Sequence, residues 1–328
     1  GLGKTGLSCA RYLSGLGHQV HVVDTRKNPP GLAGLKEDVP AATTTLGEIS
    51  DSQLNNVDQL VVSPGLPMDL PLLQAARAKQ IPVLSDIDLF AAVALAPVIG
   101  ITGSNGKSTV TSMLNDMVIE AGYRVRTGGN LGVPALDLLE AGEPDFYILE
   151  LSSFQLERAG ELKLAVATVL NVSPDHLDRH GSMPRYHQAK HRIFRGCHKA
   201  VVNRDDPLTI PLVGPGVEVI SWRMGKPELN GFGLAEVDGQ ECLCHGFESL
   251  LPVGELGLVG RHNVANALAA LALGHAAGLS LVTMVETLRK FRGLPHRCQQ
   301  VAEIAGVSYV NDSKGTNVGA TIAALNGM

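Results

Sequence analysis

The sequence predicts an α/β protein built on parallel sheets, and three features of its 328 residues predict it. Short apolar runs alternate with helix-spaced segments along most of the chain, as in strands joined by crossover helices. One strand-to-helix transition is a glycine-rich turn carrying a lysine, Gly103-Ser104-Asn105-Gly106-Lys107-Ser108-Thr109. Apolar residues make up 45% and charged residues 18%, enough for cores in two or three domains.

The first part spans 1–86. Strands are expected at 20–23, 59–62 and 81–84, with helices at 7–16 and 70–79 between them. The second part, 87–293, repeats this rhythm on a larger scale. Its strands are expected at 98–102, 123–126, 146–151, 165–171 and 200–203, and its helices at 108–121, 135–140 and 183–195. A polar, Gly-rich stretch at 217–254 reads as extra β structure or a surface excursion, and 263–277 as a helix. From 294 to 328 a third part begins, with a hairpin at 299–304 and 307–310 and a helical pattern from 320 to 328. The chain starts without Met, inside a motif that ordinarily follows a strand, and stops within a helical pattern. It therefore reads as part of a longer protein.

A net charge of −5 and the lack of a basic run argue against a nucleic-acid partner. The longest apolar stretch, 89–101, contains Pro97 and is shorter than the ~20 residues of a membrane span. Five scattered cysteines form neither a disulfide framework nor a zinc pattern, which suits a reducing, cytoplasmic setting. No signal peptide is seen.

Chemistry concentrates first at residues 103–109. A strand breaking into a Gly-rich turn and then a helix aims several N–H groups at one point. The helix N-terminus and Lys107 add positive charge there, and Ser108 or Thr109 offers a hydroxyl to Mg²⁺. Such a turn cradles nucleotide phosphates, although Ile101 stands where the general pattern has its first glycine. Gly1-Leu2-Gly3-Lys4-Thr5-Gly6 fits the dinucleotide fingerprint, with Asp24 about 20 residues on. NAD or a UDP-sugar would satisfy that turn equally. Glu150 ends an apolar strand, where a carboxylate can hold Mg²⁺ beside the phosphate loop.

His187 and His191 share a helix face but lack the Glu of a zinc-protease motif; surface positions are the plainer reading. Asn203-Arg204-Asp205-Asp206 only loosely resembles a guanine reader. Ligands of open parallel sheets lie beyond the carboxyl ends of the strands. The phosphate loop, Gly128-Gly129-Asn130, Glu150-Leu151-Ser152 and the segment from Asn171 to His176 should therefore converge at one edge.

Together these motifs resemble the ATP-dependent Mur ligases of bacterial cell-wall synthesis, along the whole chain. Thr102 to Thr109 matches the superfamily signature. Glu150-Leu-Ser-Ser-Phe-Gln-Leu156, Gly293-Leu-Pro-His-Arg297 and Asn311-Asp-Ser-Lys314 match the D-glutamate-adding branch. The resemblance implies a Rossmann-like N-terminal domain, a central P-loop-type ATPase domain and the start of a third α/β domain.

By that resemblance, Lys4, Thr5, Asp24, Arg26, Ser63, Pro64, Gly65, Asn130 and His176 would hold UDP-N-acetylmuramoyl-L-alanine. Gly103, Ser104, Asn105, Gly106, Lys107, Ser108, Thr109, Asn266, Arg297 and Asp312 would hold ATP, and Lys314 and Thr316 would lie near D-glutamate. Of two Mg²⁺ ions, one would use Ser108 and Glu150 and the other His176 and a carbamylated Lys190, with Lys107, His176 and Lys190 catalytic. Gly315 departs from the alanine of close relatives. The rival readings are an NAD-dependent oxidoreductase, a P-loop kinase or GTPase, and a sister ligase such as folylpolyglutamate synthetase.

Overall fold

The computed structural model describes residues 1–140 and 142–325, so the last three positions of the helix expected at 320–328 lie outside the described residues. Helix α1 (Lys4–Gly15) starts earlier than periodicity suggested. Gly3 is extended and caps it, and Leu7 N donates to Gly3 O at 3.0 Å, so Lys4 and Thr5 form its first turn. Gly6 is obligatory here, because a Cβ would lie 1.9 Å from Gly1 O.

Strand β1 (His21–Asp24), helix α2 (Leu32–Asp38) and strand β2 (Thr43–Leu46) follow, with β1 and β2 parallel. β2 was invisible to hydrophobic patterning, since its Thr-Thr-Thr run is polar and half exposed. Strand β3 (Leu60–Val61), helix α3 (Pro71–Ala78) and strand β4 (Val83–Leu84) form a second parallel pair. Helix α4 (Asp86–Ala91) opens at the position where the first part was expected to end, and Ser85 and Asp88 close a capping box around its start.

The central unit comprises β5 (Val98–Thr102), α5 (Lys107–Glu120), β6 (Val125–Gly129), β7 (Phe146–Glu150), α6 (Ser153–Arg158) and β8 (Val166–Val169). It continues with α7 (Leu177–His180), α8 (Met183–His191), β9 (Lys199–Asn203), β10 (Glu218–Trp222), β11 (Phe232–Val237), β12 (Gln240–His245) and β13 (Glu248–Pro252). Helices α9 (Arg261–Ala276) and α10 (Leu281–Lys290) complete it. Its sheet runs β13-β12-β11-β10-β9-β8-β5-β7-β6, parallel from β6 to β11 and antiparallel at β12 and β13. The polar stretch at 217–254 is thus an extension of the main sheet.

Several expected bounds move. Strand β6 lies two to three residues later than 123–126, because Arg124 is tied by its backbone N and side chain to Asp145 before the ladder begins. The helix expected at 135–140 is a 3₁₀ turn, Leu136–Leu139, and that at 183–195 relaxes into a 3₁₀ turn at Arg192–Phe194. β8 ends at Val169: Leu170 N still donates to Thr102 O, but Asn171 turns to the phosphate loop, accepting from Ser104 N and Asn105 N.

Alternate residues of each strand feed two cores. Ile99, Ile101, Ile148 and Val201 meet α5, α9 and α10 on one face. Tyr147, Leu149, Ala167 and Val202 meet residues of α4, α6 and α8 on the other. Helix α9 is buried from Ala267 to Gly274, which fits its lack of a polar stripe. The third unit consists of a hairpin of β14 (Gln299–Ile304) and β15 (Val307–Asn311), followed by α11 (Val318–Leu325). Among the described residues, no helix is long and apolar enough to cross a membrane.

Candidate active site

β8, β5, β7 and β6 are neighbours, so the segments after them emerge side by side at one sheet edge. The loop after β5 turns at Gly106 (φ +81°), where a Cβ would come within 2.4 Å of Asn266 Oδ1. Only glycine meets both demands, and the contact seats Asn266 of α9 directly over the loop. Asn171 staples the loop from the β8 side: its Oδ1 accepts from Asn105 N at 2.8 Å and its Nδ2 donates to Asn105 O at 3.0 Å. Ser104 Oγ adds contacts to Ser173 and to Tyr186 OH.

Three charged side chains meet beneath this loop. Lys107 Nζ donates to the carbonyls of Gly103 (2.9 Å) and Ser104 (3.0 Å). Lys190 Nζ donates to the same Gly103 carbonyl at 2.8 Å and is 2% exposed. Burial lowers the pKa of both lysines, and each is pushed further by a neighbouring cation, Arg297 for Lys107 and Lys107 for Lys190. Lys190 falls well below its ordinary value, although Asp175 and Glu150 partly oppose these effects. The third is Glu150, also buried, which accepts from Ser108 Oγ (2.6 Å) and Asn130 Nδ2 (2.7 Å).

The opening of the third unit reaches this edge. Arg297 Nη2 donates to Ser108 Oγ at 2.9 Å, and Asn317 Nδ2 to Asn105 Oδ1 (3.1 Å) and Asp175 Oδ2 (3.0 Å). Asp312 braces the hairpin by accepting from Cys298 N, while Lys314 and Thr316 are exposed on the segment after β15. Of the expected residues, Gly103 to Thr109, Asn130, Glu150, Lys190, Asn266 and Arg297 are thus brought together. Asn171 and Asp175 belong to the segment expected at this edge, without an individual role assigned to them, and Tyr186 and Asn317 are partners that sequence reasoning did not single out. Asn171 and Asn317 carried a readable signal, the first ending an apolar strand and the second closing a polar motif.

The donor set distinguishes the two expected metal positions. Ser108 and Glu150 present oxygens at the loop, the chemistry Mg²⁺ prefers, with water and phosphate oxygens able to complete its shell. At the second position Lys190 donates to the Gly103 carbonyl, and an unmodified lysine in that role is not a metal ligand. His176, in left-handed backbone at the start of α7, is about half exposed, with its Nε2 3.6 Å from Asp175 Oδ2. Among the described residues, no group of three or more His, Cys, Asp or Glu is arranged to hold a metal.

In the first unit, Arg26 grips Asp24 with Nε (2.9 Å) and Nη2 (2.7 Å), and Leu2 N donates to Asp24 Oδ2 at 2.6 Å. These bonds hold the carboxyl well below the usual carboxylate range. Both its oxygens are therefore engaged, which weakens the case for an Asp24 that reads a dinucleotide ribose. Lys4 and Thr5 lie in the first turn of α1. Ser63 sits against the Gly1 turn, where a Cβ on Gly1 would be 3.0 Å from Ser63 Oγ, and Pro64 and Gly65 continue its loop.

Fold and site define an α/β protein of P-loop type, with a glycine-turn module ahead of its central sheet. The Mur ligase middle domain matches residues 101–274, and the Mur ligase MurD-like N-terminal domain matches residues 1–85. UDP-N-acetylmuramoylalanine–D-glutamate ligases of Pseudomonas aeruginosa and Nitrosococcus oceani are each 54% identical over the whole chain, which spans 73% and 72% of their lengths. The chain belongs to the Mur ligase family.

Among solved structures, MurF from Acinetobacter baumannii aligns with TM-score 0.63 at 19% identity, covering 95% of this chain and 74% of MurF. The ligase MPL from Neisseria meningitides aligns with TM-score 0.61 at 20% identity, covering 90% and 97%. E. coli FolC in complex with DHPP and ADP aligns with TM-score 0.53 at 22% identity, covering 69% and 65%. At such identities these likenesses speak for the fold alone.

Proposed function

We infer that this protein is an ATP-dependent ligase that joins D-glutamate to UDP-N-acetylmuramoyl-L-alanine, a step of peptidoglycan precursor synthesis. The observation that carries the reading is the meeting of Lys107, Glu150, Lys190, Asn266 and Arg297 around one phosphate-type loop. They meet in a chain 54% identical over its full length to ligases of that name.

The chemistry follows from charge. A carboxylate resists attack by an amine, so the terminal carboxylate oxygen of the UDP-linked acid first attacks the γ-phosphorus of ATP. ADP leaves and an acyl phosphate forms. The D-glutamate amine then adds to the activated carbonyl, and the tetrahedral adduct collapses to an amide, releasing phosphate. Lys107, which donates to two loop carbonyls, would balance the charge on the transferring phosphoryl group, and Arg297 would supply a second cation from the third unit. Asn266, packed over Gly106, would contact the nucleotide of ATP.

Ser108 and Glu150 would hold Mg²⁺, which when bound lends Lewis-acid stabilisation to phosphate oxygens. Ser63, Pro64, Gly65, Arg26 and the α1 turn would carry the UDP end, and Asn130 and His176 would face the sugar-peptide. Asp312 would meet the nucleotide of ATP, and Lys314 and Thr316 the incoming amino acid.

Lys190 fits a carbamate for a physical reason. Burial makes the Lys190 amine easier to deprotonate than an exposed lysine, and in its unprotonated form the nitrogen can add to CO₂ and release one proton, leaving an anionic carbamate. That anion, with His176, would serve a second Mg²⁺. Exposure of the protein to ¹³CO₂ should give a carbamate carbon resonance that Lys190→Ala lacks. The absence of that resonance from the parent would refute this role. The setting this implies is the bacterial cytoplasm.

The decisive experiment measures phosphate release by the full-length protein, given ATP, magnesium, UDP-N-acetylmuramoyl-L-alanine and each candidate amino acid in turn. Release should depend on D-glutamate. Equal release with L-alanine or a diamino acid would favour a sister ligase, and none with any amino acid would refute the reading.

A further inference from the structure

We propose that Arg158 and Arg179 are positioning residues that clamp loop 63–66 of the first unit to the catalytic edge of the central unit, and so set how the UDP-linked acid is presented. The proposal rests on the ligase reading above. Both guanidiniums, Arg158 through Nη2 and Arg179 through Nη2, donate to one acceptor, the carbonyl oxygen of Leu66. Leu66 directly follows Ser63, Pro64 and Gly65, and Ser63 abuts the Gly1 turn. A single loop therefore touches the glycine turn with one end and the two arginines with the other.

The arginines stand on a rigid subassembly. α6 begins three residues after Glu150, and Arg158 is its last residue; α7 begins immediately after His176, and Arg179 lies within it. The two helices are locked together. His180 Nε2 contacts Ser153 Oγ at 3.0 Å, Arg179 Nη2 donates to Glu157 Oε2 at 3.1 Å, and the Arg179 guanidinium lies 5.5 Å from the Phe154 ring centre. Loop 63–66 is thereby anchored to the helices that follow Glu150 and His176.

Two cations converging on one neutral oxygen are not what stability alone selects. Burial, the nearby Arg179 and Arg77 oppose the Arg158 charge, Glu157 only partly offsets them, and Arg158 Nε is buried without a hydrogen-bond partner. Ordinary packing would be served better by an apolar residue. The arrangement makes sense if the position of the Leu66 carbonyl matters, because misplacing a bound substrate by about 1 Å can cost roughly a hundredfold in rate.

The test uses the full-length protein with Arg158→Lys, Arg179→Lys and Arg158→Gln. Lysine keeps the charge but cannot reproduce the planar guanidinium. Each variant should raise KM for UDP-N-acetylmuramoyl-L-alanine about tenfold or more. KM for ATP should stay unchanged, and the lysine variants should be less impaired than Arg158→Gln. Hydrogen exchange at the amides of Gly65, Leu66 and Met68 should quicken in each variant, a readout that needs no turnover. Unchanged KM for the UDP-linked acid, or equal rises for both substrates accompanied by a lower Tm, would overturn the clamp. An active parent with normal variants refutes the clamp alone, whereas an inactive parent refutes the ligase reading, with hydrogen exchange still judging the clamp.

Discussion

Asp86 offers the most quantitative prediction. It opens α4 at the junction of the first and central units, is 3% exposed, and its Oδ1 has no hydrogen-bond partner. Burial pushes its carboxyl up from 3.8 to about 6, while a hydrogen bond from Gln155 and local backbone contacts partly oppose the rise and Asp88 adds to it. The folded protein thus holds this proton more tightly than the unfolded chain. Stabilisation from the group is complete below 3.8 and is lost as pH rises through about 6. At about 1.4 kcal/mol per tenfold change in proton affinity, the loss amounts to about 3 kcal/mol.

Asp86→Asn has no proton to lose. Its unfolding free energy relative to the parent should therefore climb by about 3 kcal/mol between about pH 3 and pH 7 and then level off. Urea unfolding followed by circular dichroism at a series of pH values measures this difference, and any fixed effect of the amide cancels in the pH trend. A difference that stays flat across that range, or falls, would refute the reasoning.

Other perturbations address the site. Lys107→Ala should abolish D-glutamate-dependent phosphate release while leaving the thermal midpoint near that of the parent, and near-normal turnover would remove its assigned role. Gly106→Ala forces a Cβ into left-handed backbone and against Asn266, so about 1–2 kcal/mol of stability should go, together with most ATP affinity by calorimetry. Unaltered ATP binding would contradict the proposed geometry. Glu150→Gln keeps the size of the group but removes a buried charge beside Ser108, and should raise the magnesium concentration for half-maximal rate at least about tenfold. A magnesium titration that overlays the parent's would count against Glu150 as a ligand.

Local sequence was a good guide wherever one short stretch carries both the signal and the consequence. The phosphate loop, the apolar strands of the central sheet and the body of α9 were readable because continuous apolar runs, buried on both faces of the sheet, and glycine punctuation are written into adjacent residues. The same reading missed β2, whose threonines satisfy a parallel ladder without an apolar face, and α4 and α6, whose Ser-x-x-Asp and Ser-x-x-Gln caps were present but short. It left the 217–254 segment undecided, because a sheet extension and a surface loop share the same polar composition.

What the chain by itself determined, then, is the sequence of strand and turn chemistries and the residue types at each strand end. The tertiary structure decided which of those ends are neighbours. Strand order sets Glu150 and Asn130 beside Ser108, and it brings Lys190, remote in sequence, to the same carbonyl as Lys107. Burial then changed what the residues are: a lysine that reads as a surface cation becomes an amine held far below its ordinary pKa. Desolvation and charge proximity act through space and depend on distances that no local pattern encodes.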